Sequence, residues 1–128
     1  MPVTGLDHIN FHAHRELLDR MRDFYRDVIG LVEGPRPAFS RYGHWLYAGN
    51  LPVVHLIDLK EGEPRDFAAV NAFDHVAFSA TDATEVEARL TALGVPYQVT
   101  SLPDMPVRQI FVQDPAGNRI ELQFPPGA

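Results

Sequence analysis

Four residues have the types and the spacing to hold a metal ion: His8, His55, His75 and Glu121. The chain reads Asp7-His8-Ile9-Asn10-Phe11 and, 67 residues later, Asp74-His75-Val76-Ala77-Phe78. Each copy alternates like a half-buried strand, with Ile9 and Phe11, or Val76 and Phe78, on the packing face and the histidine on the other. Later in each half a turn signal, Ala48-Gly49-Asn50 or Ala116-Gly117-Asn118, precedes a last strand, and aligning these strands matches His55 with Glu121. On the second of them Arg119, Glu121 and Gln123 face away from Ile120, Leu122 and Phe124. Three imidazoles and a carboxylate suit Zn, Ni, Mn or Fe(II), and two His with one carboxylate also match the facial triad of non-haem iron oxygenases. One histidine on a strand is ordinarily a polar residue at a sheet surface. Coincidence at four matched positions favours a shared site. The remaining histidines read as surface groups: His12 near a strand end, where it could line a pocket, His14 at a helix start and His44 at a hairpin tip.

Composition narrows the chemistry. Net charge is −6 without a run of Lys or Arg, which argues against a nucleic-acid surface. The absence of cysteine excludes thiolate ligands, disulfides and cysteine nucleophiles, so any metal must be held by the six histidines and 17 carboxylates. No stretch approaches a membrane span and no signal-peptide pattern opens the chain, so the expectation is a cytoplasmic protein.

The elements that must position the four residues repeat in order. Residues 5–12 read as a strand and 15–28 as an amphipathic helix, with Leu17, Leu18, Met21, Phe24, Tyr25 and Val28 at helical spacing and Gly30 as its stop. After Pro35 and Pro37, a hairpin is expected with Phe39-Ser40-Arg41 and Trp45-Leu46-Tyr47 as strands around Tyr42-Gly43-His44, then a strand from Val53 to Asp58. Residues 59–72 read as a linker. The second half gives a strand over 73–79 and a helix capped by Asp82 and Glu85, with Val86, Leu90 and Leu93 on its face and Gly94 at its end. Strands over 97–101, 107–113 and 119–124 follow. The fold class is therefore α+β: two tandem βαβββ modules, residues 1–58 and 73–128, forming one domain overall.

The chain resembles the vicinal oxygen chelate superfamily, which includes glyoxalase I, bleomycin-resistance proteins and extradiol dioxygenases. The resemblance spans about residues 3–125. It rests on Leu6-Asp7-His8-Ile9, on Phe24 to Leu31 (Phe-Tyr-Arg-Asp-Val-Ile-Gly-Leu), on Phe73-Asp74-His75-Val76, and on Phe111 to Glu121 with its Asp-Pro-x-Gly-Asn-x-Ile-Glu ending. It implies a glyoxalase-like fold whose curved sheet wraps a metal cup, with ligands at His8, His75 and Glu121. It also implies a ligand at the place of His55 in the isomerase branches. Bleomycin-binding members lack these ligands. Homodimers are expected, sometimes with exchanged modules, so that His8 and His55 come from one chain and His75 and Glu121 from the other.

Coordination count separates the chemistries. With His55 as a fourth ligand, two places remain for adjacent substrate oxygens, which suits a glyoxalase-like lyase or isomerase. With His55 off the metal, three places remain, enough for a catecholate and dioxygen, and His55 is free as the acid–base group of an Fe(II) extradiol-type dioxygenase. His55 and Glu121 are thus the candidate catalytic residues. Two departures matter. Lactoylglutathione lyases carry an arginine four residues after the first ligand, where this chain has His12, which argues against glutathione. The extradiol signature has a histidine before a hydrophobic-Tyr pair, where this chain has Ile110-Phe111 with no histidine in 102–106. The lyase or isomerase leads, the dioxygenase is second, and a protein that sequesters a small molecule without catalysis is third. Arg41, Trp45, Tyr47 and Arg108 are expected on strands that flank the substrate pocket, and Tyr42, Tyr47 or Tyr97 as possible phenol donors.

Overall fold

The computed structural model describes residues 5–38, 41–59, 73–102 and 105–125. The chain divides into two compact units, residues 1–67 and 68–128. The first contains β1 (Ile9–Ala13), α1 (Arg15–Asp27), β2 (Val32–Gly34), β3 (Gly43–Ala48) and β4 (Leu51–Asp58). The second contains β5 (His75–Ser79), α2 (Ala83–Leu93), β6 (Gln98–Leu102), β7 (Met105–Gln113) and β8 (Arg119–Phe124). Each unit is a βαβββ module with its own four-stranded mixed sheet, ordered β1-β4-β3-β2 in one and β5-β8-β7-β6 in the other. The first and last strands of each module run parallel and the others pair antiparallel.

Helix α1 forms through burial rather than through its ends. Its N-cap, His14, makes no side-chain capping bond, which forgoes about 1 kcal/mol. Leu18, Met21, Phe24, Tyr25 and Val28 are buried, as are Leu46, Val54 and Leu56 of the sheet, and each large apolar side chain so buried contributes roughly 1.5–3 kcal/mol. Helix α2 is capped at both ends. Asp82 accepts a hydrogen bond from the Glu85 amide at 3.2 Å, and Gly94 takes the left-handed φ of 69° that ends the helix. Val86 and Leu90 are buried as expected, but Leu93 is 49% exposed and lies off the packing face.

The middle of the first module departs from the expected hairpin. Val32–Gly34 pairs with β3, Gly34 lying opposite Trp45 and Val32 opposite Tyr47. Residues 39 and 40 lie outside the described residues, as does most of the expected linker, 60–72. Gly43 and His44 belong to β3 itself, and the turn before β4 is Gly49-Asn50. His44 is therefore not a solvated hairpin tip: it is 6% exposed on the α1 side of the sheet. Its Nδ1 lies 2.7 Å from Glu33 Oε2 and its Nε2 3.0 Å from Asp19 Oδ1, which also accepts the Tyr42 hydroxyl at 2.7 Å. This network ties α1 to β2 and β3 through polar groups that the hydrophobic pattern does not register.

Gly43 is required for a steric reason. A Cβ there would overlap the Leu56 carbonyl oxygen and come within 2.9 Å of Arg36 Nη2. Gly43→Ala should cost about 1–3 kcal/mol, read as a lower urea midpoint. His44→Ala leaves two carboxylates without their shared partner and should cost about 1–3 kcal/mol, measured in the same way.

Candidate metal half-sites

The strand registers bring matched residues to matched places. On the first sheet His55 pairs with Asn10 and with Trp45. On the second, Glu121 pairs with Ala77 and with Phe111. Asn10 and Ala77 stand two residues after His8 and His75, so each upstream histidine falls beside the central residue of the last strand. Both clusters lie on the sheet face that α1 or α2 does not cover, because Val54 and Leu56, or Ile120 and Leu122, alternate with them into the core.

In the first module the rings form a stack. His8 and His55 have centroids 3.9 Å apart and planes 11° apart, and Trp45 covers the far face of His55 at 4.1 Å and 10°. His8 Nδ1 lies 2.7 Å from Asp7 Oδ1. The Nε2–H of His55 donates to the Pro52 carbonyl at 2.9 Å, which leaves its Nδ1 with the lone pair. His55 is 8% exposed. Burial, with His8 adding to it against the Pro52 bond, lowers its pKa from the ordinary 6.5, so the ring is neutral at pH 7.

In the second module the groups meet edge-on. His75 Nδ1 lies 2.7 Å from Asp74 Oδ2, and His75 Nε2 lies 3.2 Å from Glu121 Oε1. Glu121 is 5% exposed and its other oxygen accepts from Gln109 Nε2 at 3.4 Å. Phe111 presents its ring at 86° to His75, and Arg119 lies 4.0 Å over Phe111 while donating to Asp74 at 3.1 Å. The His75 bond first, then the Arg119 bond, hold the Asp74 carboxyl below its usual range.

This chemistry fits a divalent ion in three respects. Each Asp-His pair has the carboxylate–imidazole arrangement that orients a metal-binding histidine through its second nitrogen. His75 presents Nδ1 to Asp74 at 2.7 Å and Nε2 to Glu121 at 3.2 Å, so a cation, a proton or a metal ion, is accommodated between Nε2 and the Glu121 carboxylate. Donors about 2.1 Å from one ion at octahedral or tetrahedral angles stand roughly 3.0–3.4 Å apart, and 3.2 Å lies in that range. Each module brings two candidate donors together. Among the described residues no group of three or more His, Asp or Glu side chains that could hold a metal is gathered.

The expected pocket residues divide. Trp45 joins the stack, and Tyr47 shares its sheet face, its hydroxyl donating to the Pro35 carbonyl at 2.5 Å. Arg41 lies in a bend ahead of β3 rather than on a strand. Arg108 pairs with Glu87 of α2 and sits opposite Phe124, on the face away from Glu121, because it is an odd number of residues from Phe111. Tyr42 and Tyr97 also turn toward the helices, bonded to Asp19 and Glu87. His12 is half-buried in β1 and His14 is exposed at the α1 start. Sequence reasoning missed Asp7, Asp74, Phe111 and Arg119 as site residues. The repeated Asp-His pair was a legible signal, and so was Phe111 in the place that Trp45 takes in the first half. A cavity of about 400 Å³ in the second module is lined by Tyr97, Gln98, Phe111, Gln113 and Arg119 among others, and so opens beside the groups that flank His75.

A duplicated βαβββ chain with matched His and carboxylate half-sites defines the class. The chain belongs to the Glyoxalase/Bleomycin resistance protein/Dioxygenase superfamily, whose family model matches residues 5–122. A glyoxalase family protein from Bacillus anthracis is similar at 28% identity, with 96% of each chain covered and a TM-score of 0.72. The lactoylglutathione lyase from Agrobacterium tumefaciens shares the fold at 24% identity, covering 97% of this chain and 96% of that one, with a TM-score of 0.68. The fosfomycin resistance protein FosX from Listeria monocytogenes shares it at 17% identity, with 95% and 93% covered and a TM-score of 0.69. No curated protein matches the chain. No helix among the described residues is long and apolar enough to cross a membrane.

Trp45 is the only tryptophan and reports on His55 directly. In metal-free protein, a protonated ring stacked on the indole should quench its emission. Fluorescence should fall as pH drops through a midpoint below 6.5, the ordinary value from which burial lowers His55. Steady-state emission against pH checks this, with His55→Phe as the control that shows no step.

Proposed function

We propose that this protein is a divalent-metal-dependent enzyme that binds a small substrate through two adjacent oxygens and moves a proton on it, as a glyoxalase-like lyase or isomerase. The observation that carries the reading is the 3.2 Å approach of His75 Nε2 to Glu121 Oε1, with Asp74 behind the imidazole. The donors would come from both modules, of one chain or of two copies in a homodimer: His8, His75 and Glu121, with His55 as the fourth candidate. The ion would be Zn, Ni, Mn or Fe(II), and when bound it would supply Lewis-acid stabilisation of charge on the substrate oxygens.

The chain's own residues supply the rest. Asp7 and Asp74 fix the tautomers of His8 and His75. Where His55 is not a donor to the ion, its Nδ1 lone pair is free to take a proton from substrate. Glu121 is the second proton-accepting group, buried beside Gln109 and Phe111. The cavity beside Phe111 and Arg119 would hold the non-reacting part of the substrate, its apolar wall excluding water. His12 in place of the arginine of glutathione-dependent relatives points to a substrate that does not carry glutathione.

A second reading is an Fe(II) extradiol-type dioxygenase. It is favoured by the commitment of His55 Nε2 to Pro52 and by the ring stack, which suit a residue beside the metal. A third, sequestration of a small molecule without catalysis, requires the pocket but not the metal.

Metal analysis of the purified protein, with oxygen uptake measured on catechols, separates these. Nickel, zinc or manganese at one ion per chain without oxygen uptake is the expected outcome. Iron with uptake selects the dioxygenase, and metal-free protein that still binds ligand selects sequestration. His75→Ala and Glu121→Ala should each lower metal content at least tenfold while leaving the circular-dichroism spectrum unchanged.

A further inference from the structure

A line of polar contacts crosses the second sheet and ends on Glu121. We propose that Gln109, itself held by Thr100, is a positioning residue for Glu121: it occupies one carboxylate oxygen and so turns the other toward His75. This role rests on the reading above that His75 and Glu121 bind a divalent ion.

The contacts pass from strand to strand. The Thr100 hydroxyl of β6 donates to Gln109 Oε1 of β7 at 2.8 Å, and Gln109 Nε2 donates to Glu121 Oε2 of β8 at 3.4 Å. The other oxygen, Glu121 Oε1, lies 3.2 Å from His75 Nε2. Thr100 is directly opposite Gln109. Gln109 is opposite Gln123 and reaches Glu121 along the diagonal. Diagonal neighbours stand roughly 7–8 Å apart, so the contact needs a side chain as long as Gln, and Asn falls one methylene short.

The chemistry of each group fixes its place in the line. An ionised carboxylate only accepts hydrogen bonds, whereas a primary amide has a donating end and an accepting end. Turned end for end, the Gln109 amide would set its oxygen against the Glu121 carboxylate. The Thr100 hydroxyl, by donating to Oε1, holds the amide the other way round, with its NH2 on Glu121. Glu121 is 5% exposed, and a buried acceptor left without a partner is costly. Gln109 supplies that partner to Oε2. Rotating the carboxylate then gives up the Gln109 bond, so Oε1 stays on the His75 side. The first module shows that the amide accompanies the carboxylate. Gly43 stands two residues before Trp45, as Gln109 stands two before Phe111, and offers His55 no side chain. His55 instead donates to the Pro52 carbonyl of its own strand.

Titration of the metal-free protein with Co(II), followed by calorimetry and by the visible absorption band, tests this role in wild type, Gln109→Met, Thr100→Val, Thr100→Ser and His75→Ala. Gln109→Met keeps the length of the side chain and removes its amide. It should bind Co(II) about tenfold more weakly, with a changed band, because the carboxylate is then free to turn. Thr100 is exposed on the edge strand. Thr100→Val should weaken binding roughly threefold, and Thr100→Ser, which keeps the hydroxyl, should bind like wild type. His75→Ala should lose binding. Gln109→Met that matches wild type in affinity and band overturns the inference and leaves the metal reading intact. So does a lower urea midpoint of the metal-free variant with the band unchanged, since that marks lost sheet packing alone. Should Gln109→Met fail to fold, the Thr100 pair decides: equal Co(II) affinity in Thr100→Val and Thr100→Ser overturns the inference. Wild type that takes no Co(II), or His75→Ala that binds it normally, overturns both.

Discussion

Everything at the two half-sites depends on the parallel pairing of each module's first and last strands. β1 meets β4 with Asn10 opposite His55, and β5 meets β8 with Ala77 opposite Glu121. A shift of one residue in either register would turn His55 or Glu121 onto the helix face and replace it with an aliphatic neighbour. The registers are secured by burial on that other face. Val54 and Leu56 in one sheet, and Ile120 and Leu122 in the other, have almost no exposed surface. The hydrophobic core thus fixes the position of groups that are not part of it. The Asp114 turn reinforces β8: Oδ1 accepts from the amides of Ala116 and Asn118 at 2.9 and 2.8 Å, and Gly117 takes a φ of 88° that a side chain would strain.

The same register serves two different local chemistries. A flat ring at the central place of the first module invites face-to-face packing, so Trp45, His55 and His8 stack. A carboxylate at that place in the second module offers lone pairs, so His75 comes to it by its edge and Phe111 stands upright beside them. Both upstream histidines keep their aspartates, which fixes the tautomer in each case. The two modules share the backbone pairing and the Asp-His unit, while the partner on the last strand is an imidazole in one and a carboxylate in the other.

Much of the fold was legible because periodicity and turn chemistry are local. The alternation of Ile9 with Phe11 and of Ile120 with Leu122, the helical spacing from Leu18 to Val28, and the Asp82 cap each depend on a few neighbouring residues. The strand at Val32–Gly34 was not legible. It is three residues long, carries a charge at Glu33 and a glycine, and is held by pairing with β3 rather than by any pattern of its own. The burial of His44 followed from the same error, since a hairpin tip became strand interior once its partner was relocated. Arg108 was misplaced although its own strand specifies its face: it shares parity with the buried Ile110 and Val112, opposite to Phe111.

The sequence by itself determined that two βαβββ copies exist, that an Asp-His pair opens each, and that His55 and Glu121 occupy equivalent places. All of these are properties of order and spacing along one chain. Tertiary structure decided how the side chains meet within each module: that His55 is sandwiched and bonded to Pro52, and that His75 approaches Glu121 through Nε2. Spacing sets which residues share a sheet face, but ring orientation depends on what packs against each ring from other strands. Those neighbours, Trp45 ten residues before His55 and Phe111 ten before Glu121, are brought to contact only by cross-strand pairing.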